Sequence, residues 1–115
     1  MRGILPLFFV TLLFACSSPE PTIFEVDVGQ LKPTGGMLEL YGVESPMKQK
    51  GKILVGQRIV EKDGSGKITV NFEDSPSIIC RIGYVTNGLQ YYFQYEIKNG
   101  TCNMVRMFQD ERAIS

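Results

Sequence analysis

The chain has 115 residues, which is enough for one domain, and its twelve basic side chains are balanced by twelve acidic ones. This balance gives no electrostatic footprint for nucleic acid, so we expect no nucleic-acid partner. The chain contains no histidine, which excludes Ser-His-Asp and Cys-His catalytic sites and any metal site with an imidazole ligand. We therefore predict no catalytic residue, no cofactor and no metal site, and the only enzymatic alternative is a site of Asp, Glu or Lys side chains.

The first residues are typical of an export signal. Arg2 precedes an apolar run that is too short for a transmembrane helix, which needs roughly 20 residues. The sequence Leu13-Phe14-Ala15-Cys16 resembles the lipobox of bacterial lipoproteins, although Phe14 departs from its pattern. The resemblance implies cleavage before Cys16, a diacylglyceryl group on its thiol and fatty acyl chains such as palmitate. The alternative is an ordinary secretory signal in which Cys16 has no special role.

The domain boundaries follow from this start. Residues 1–15 are predicted to be the signal peptide, 16–21 the acylated cysteine with a short tether, and 22–115 a β-domain. Acyl chains of this kind anchor a protein stably to a membrane. The serine directly after Cys16 is similar to the residue at that position in Gram-negative lipoproteins that are sent to the outer membrane. We expect a lipid-anchored envelope protein, on the periplasmic face of the outer membrane if the source is Gram-negative.

Four strands are predicted in the first part of the domain, each from an apolar–polar alternation. They cover residues 22–28, 37–43, 52–61 and 66–73, and the last two are expected to form a hairpin. Lys48, Lys50 and Lys52 point the same way on an extended chain. They could meet lipid phosphates or an acidic partner, but a solvated loop or a charged edge that blocks strand addition is the favoured interpretation.

Residues 77–108 contain two Asn-Gly pairs between alternating runs, at Asn87-Gly88 and Asn99-Gly100. Such a pair favours a two-residue hairpin, because a type I′ turn needs positive φ at both positions. Three successive antiparallel strands are therefore expected, with Cys80 opposite Tyr95. The cross-strand pairs on the buried face of this register are Tyr84–Tyr91, Ile82–Phe93, Cys80–Tyr95 and Ile78–Ile97. In total about seven strands and no helix predict an all-β fold, a single antiparallel β-sandwich or small barrel.

Cys80 and Cys102 are candidates for a disulfide, since two further cysteines in an exported domain favour one. If both Asn-Gly turns were two-residue hairpins, however, the cysteines would lie two strands apart, at about 9.6 Å, beyond the reach of a disulfide. The same register would also place Arg106 on the buried face opposite Phe93, which is costly for an unpaired charge. Either Asn99-Gly100 is a longer loop that carries the last strand elsewhere, or both thiols are free, and we favour the disulfide.

The outward face of this three-stranded unit is a candidate partner-binding surface. In the predicted register it carries Tyr92 with Met107, and Val85 and Val105 nearby. Aromatic and methionine side chains are enriched at protein interfaces. The alternative is a methionine packed locally on a tyrosine.

The sequence thus predicts a non-enzymatic envelope lipoprotein, attached to the membrane by its lipid, whose β-domain binds another envelope protein. The alternative function is a periplasmic inhibitor or small-ligand-binding lipoprotein. About 100 residues leave little room for a cavity inside a barrel once side chains fill it.

Overall fold

The computed structural model describes residues 20–109, and every regular element in that range is a β-strand. The predicted signal peptide, Cys16, most of the tether and the tail 110–115 lie outside the described residues. The nine strands are β1 (Thr22–Asp27), β2 (Gly35–Leu40), β3 (Val43–Pro46), β4 (Lys48–Lys50), β5 (Ile53–Arg58), β6 (Gly64–Asn71), β7 (Ile78–Val85), β8 (Tyr91–Lys98) and β9 (Thr101–Gln109).

The strands form two sheets that pack as a sandwich. One sheet has five strands in the order β4-β5-β1-β8-β9, and the other has four in the order β3-β2-β6-β7. The predicted all-β class is confirmed, and the sandwich is the form it takes. Nine strands are present in place of about seven, because residues 43–50 add two short edge strands. The core between the sheets includes the fully buried Phe24, Val26, Leu38, Leu40, Leu54, Ile68 and Val70.

Two pairings differ from the sequence prediction. The expected hairpin over residues 52–73 is wrong, because the chain crosses between sheets after β5, so that β5 pairs with β1 and β4 while β6 pairs with β2 and β7. The crossing buries Val60 in the core. The β1–β8 pair is parallel, which departs from an all-antiparallel arrangement.

The second Asn-Gly turn is the predicted hairpin. Asn99 and Gly100 both have positive φ, 55° and 76°, as a type I′ turn requires. Lys98 consequently lies opposite Thr101, and β8 and β9 form an antiparallel pair. The predicted pairing of these two strands at the turn is confirmed.

The first Asn-Gly turn is not a hairpin, so the predicted pairing of 77–86 with 89–98 is wrong. Gly88 has φ of 85°, but Asn87 does not have positive φ, and this is the pattern of a type II turn. The backbone N–H of Asn87 donates to Asp63 Oδ1 at 2.8 Å, and that of Gly88 donates to the Val60 carbonyl at 2.8 Å. These bonds direct the chain from β7 into the other sheet.

Gly83 explains why the outward face of β7 is also misassigned. Its φ of 87° breaks the alternation, so Ile82 and Val85 are both buried. Tyr84, predicted to be buried, is 71% exposed, and Val85, predicted to face outward, is 1% exposed. The alternation on β8 is correct, since Phe93, Tyr95 and Ile97 are buried as expected.

The passage of the chain from β7 into the other sheet also brings the two cysteines together. Cys80 in β7 and Cys102 in β9 form a disulfide between the two sheets, with their Cα atoms 5.2 Å apart. The favoured disulfide is therefore confirmed, although for a different reason than a longer loop at Asn99-Gly100. Cys102 lies opposite Ile97, as the hairpin register requires, while β7 lies in the facing sheet.

A bulge in β9 resolves the predicted burial of Arg106. Between Gln94 and Tyr95 the register shifts, so that Val105 is the extra residue on β9. Arg106 then lies opposite Gln94 on the outer face, and Met107 takes the place opposite Phe93. The bulge thus leaves the Arg106 side chain exposed, whereas the register without a bulge would have buried it.

Candidate binding surface

The two long sides of the sandwich are built differently. On one side the chain passes directly from β3 to β4, through Met47, whose side chain is buried and whose N–H donates to the Gly36 carbonyl at 2.9 Å. Its edge strands have only four and three residues. Pro46 and two exposed lysines, Lys48 and Lys50, lie on them. Short strands, proline and lysine are the devices that prevent an edge from pairing with another chain.

On the opposite side the edge strands are β7 and β9, and we call this the β7/β9 side. They are eight and nine residues long and contain no proline. Within the described part of the chain, each pairs with one neighbour only, β6 and β8 respectively. The Cys80–Cys102 bond is the covalent link between the two sheets here. This side therefore presents two long strand edges with few of the usual protective features.

The β7/β9 side also carries most of the exposed apolar surface. Single exposed apolar residues are ordinary, but a group of them indicates an interaction site. Of the eight large apolar side chains that are strongly exposed in residues 20–109, five lie on these two strands. They are Ile79 (48%), Tyr84 (71%), Met104 (43%), Val105 (58%) and Met107 (50%).

A cleft of about 510 Å³ lies where β7 and β9 meet, lined in part by Ile79, Arg81, Tyr95 and Met104. Tyr95 is 3% exposed, and its hydroxyl has no hydrogen-bond partner among the described residues. Burial raises the pKa of this hydroxyl above its ordinary value of 10.0, so it remains a neutral donor. An unpaired buried polar group of this kind costs about 1–3 kcal/mol.

The charge on the two strands has a single sign. β7 and β9 contain Arg81 and Arg106 and no acidic residue. The side chain of Arg81 is exposed and makes no hydrogen bond or ion pair with any described residue. Arg106 donates from Nε to Gln94 Oε1 at 3.1 Å, and its guanidinium lies 5.3 Å from the centre of the Phe108 ring. The surface is therefore apolar and basic.

The predicted patch around Tyr92 does not exist as one surface. Tyr92 is half-buried, stacks on Phe108 with ring centres 5.0 Å apart, and donates to Glu25 Oε2 at 2.6 Å. Val85 is buried in the other sheet, and its predicted exposure is wrong because of the Gly83 irregularity. Met107 and Val105 are exposed on β9, as predicted, but Met107 lies opposite Phe93 and not Tyr92.

Ile79, Tyr84 and Met104 were not among the predicted binding residues. The predicted register puts Tyr84 on the buried face and Ile79 on the outer face. The burial problem of Arg106 was the available signal that the register of β9 had to shift. No signal in the sequence placed β7 in the facing sheet.

Residues 20–109 also carry no cluster of metal ligands, and they form a second cleft. No group of three or more His, Cys, Asp or Glu side chains that could hold a metal ion occurs in residues 20–109. A second open cleft of about 390 Å³ lies at the end of the sandwich between Leu31, Phe72, Pro76 and Ile78. None of the described elements is a helix of the length and apolarity needed to cross a bilayer.

No protein family, curated protein or solved structure matches the chain.

Proposed function

We propose that this chain is a lipid-anchored lipoprotein of the bacterial cell envelope, whose non-enzymatic β-sandwich binds another envelope protein through the β7/β9 side. The observation that carries the binding proposal is the contrast between the two sides of the sandwich. One side has short edges with proline and lysine, and the other has long edges with five exposed apolar side chains. Surfaces of this second kind are typical of interaction sites.

The position of the tether fits this arrangement. Thr22, the first residue of β1, is fully buried, donates from Oγ1 to the Leu89 carbonyl at 2.6 Å and accepts from the Tyr91 N–H at 3.3 Å. The tether of residues 16–21 reaches about 20 Å at most from this fixed point. It leaves from one end of the strands, so an anchor at Cys16 holds that end near the bilayer. The β7/β9 side, which runs along the strands, then remains open to a neighbouring protein.

Two measurements test the two halves of the proposal. Cells given a fatty-acid analogue should label the wild-type protein, and Cys16→Ser should abolish the label. A wild-type protein that takes up no label and is released in soluble form contradicts the anchor.

Binding is tested by capture from gently crosslinked envelopes with a matched pair of variants. Met107→Glu and Gln49→Glu each add one negative charge at an exposed strand position, on opposite sides of the sandwich. We expect a recurrent membrane-protein partner to be lost with Met107→Glu and kept with Gln49→Glu. Recovery of a soluble enzyme or a metabolite would favour the inhibitor or carrier function, and equal capture by both variants would exclude the β7/β9 side.

A further inference from the structure

We propose that the occupant of the β7/β9 side is an extended segment of a partner protein, rich in alternating acidic and apolar residues, that adds as a strand to the free edge of β9. This inference rests on the proposed binding function and specifies its mode and the chemistry of the partner. Strand addition supplies main-chain hydrogen bonds for affinity, and alternate side chains supply specificity.

The backbone of β9 provides the first argument. Its inner edge pairs with β8 over eight register positions, from Lys98–Thr101 to Tyr91–Gln109. Its outer edge has no strand neighbour among residues 20–109. A strand of nine residues with one free edge is a template for another extended chain, and only the bulge at Val105 interrupts it.

The methionines provide the second argument. The hairpin register places Met104 opposite Tyr95, and the bulge places Met107 opposite Phe93; Tyr95 and Phe93 are both buried in the core. Both methionines therefore face the core side of the sheet, yet Met104 is 43% and Met107 50% exposed, because no further strand among residues 20–109 covers them. Methionine is flexible and adapts to varied apolar partners. Apolar side chains on one face of an added strand would cover these two positions.

The charges on β7 and β9 indicate the chemistry of the other face of the added strand. Arg106 stands on the outer face of the five-stranded sheet, and Arg81 lines the cleft beside Met104. No acidic residue occurs on either strand, and neither arginine makes an ion pair within residues 20–109. Electrostatic complementarity steers encounter and selects partners. Acidic residues on the outer face of an added strand would lie beside Arg106, whereas a basic strand would be repelled by both arginines.

The Tyr95 hydroxyl provides an independent indication of a ligand. It is a buried donor without a partner in the described structure, in a residue that lines the cleft between the edges. Buried polar groups in native proteins almost always have a partner. A carbonyl or carboxylate oxygen of an incoming segment is the type of group that this donor requires.

Three blocked nine-residue peptides test the proposal, with Val alternating with Glu, with Lys or with Ser. They are titrated into the chain from residue 16 onward carrying Cys16→Ser, because the described core lies entirely within residues 22–109. The methyl groups of methionine are observed by NMR. The Glu peptide should shift Met104 and Met107 and leave the buried Met47 unshifted. It should bind at least about tenfold tighter than the Lys peptide at low salt, and the difference should shrink as salt screens the charges.

Charge reversal is the control. Arg106→Glu should remove the preference for the Glu peptide, and Lys48→Glu on the opposite edge should leave it unchanged. The proposal is overturned if no peptide shifts Met104 and Met107, if the Lys peptide binds equally well, or if the chain alone forms a dimer through β9. A failure of all peptides while envelope capture still depends on Met107 would remove strand addition and leave the proposed function standing.

Discussion

Removal of the Cys80–Cys102 bond should destabilise the domain strongly, because this bond is the covalent link between the two sheets on their open side. The sequence separation of 22 residues corresponds to a loss of about 3 kcal/mol from the loop-entropy relation. For a domain of this size, that loss lowers Tm by about 12 to 24 °C. The double variant Cys80→Ala/Cys102→Ala measures the loss by thermal and urea unfolding.

Two controls separate the crosslink from packing. Cys80 is fully buried, so truncating its side chain leaves a small cavity in addition to breaking the bond. Wild-type protein unfolded in the presence of a thiol reductant loses the bond alone. If reduction lowers the free energy of unfolding by less than about 1 kcal/mol, the entropic account of this bond is refuted.

Three further substitutions and one control substitution probe the core and the strand contacts. Phe24→Ala, at a fully buried position in the centre of the five-stranded sheet, should cost about 3–5 kcal/mol in urea unfolding, and a smaller loss would show a loosely packed core. Tyr95→Phe should raise stability, because it removes a buried hydroxyl without a partner. Burial raises the pKa of that hydroxyl in the folded state, so just above pH 10 this tyrosine ionises only in the unfolded state. The stability of the wild-type protein should therefore fall above pH 10, and the stability of Tyr95→Phe should fall less. A destabilised variant would show that the hydroxyl is paired. Gly66→Ala should destabilise the domain, since a Cβ at position 66 would lie 2.8 Å from the Glu39 carbonyl oxygen. Gly35→Ala is the control and should be tolerated, because a Cβ there has no atom within 4 Å. Equal melting temperatures of the two variants would contradict this packing.

The two Asn-Gly pairs show how much of the fold local sequence could predict. Both have the same local preference, yet only Asn99-Gly100 forms the type I′ turn. At Asn87-Gly88 the outcome depends on a bond from Asn87 to Asp63 and a bond from Gly88 to Val60, across 24 and 28 residues of sequence, and alternation cannot reveal such contacts. The strand positions and the β-class follow from alternation, whereas the assignment of strands to sheets depends on long-range pairing.

The binding surface was predictable only where exposure depends on local alternation and not on long-range pairing. The exposure of Val105 follows from the alternation of β9, and the structure agrees. Met107 is exposed for a different reason, because it faces the core side at an edge that no strand among residues 20–109 covers. The exposure of Tyr84 depends on the backbone irregularity at Gly83, which a single glycine in a strand only hints at. The grouping of these residues on one side required the sandwich topology.

Site-specific photo-crosslinking in living cells tests the central claim most directly. A photoreactive amino acid is placed at position 107 on β9, or at position 49 on β4 as the matched control. Both positions are exposed, and they lie on opposite sides of the sandwich. We predict a light-dependent adduct of one discrete mass from position 107 and none from position 49. An adduct from position 49 alone, or no adduct from position 107, would contradict the assignment of the β7/β9 side as the binding surface.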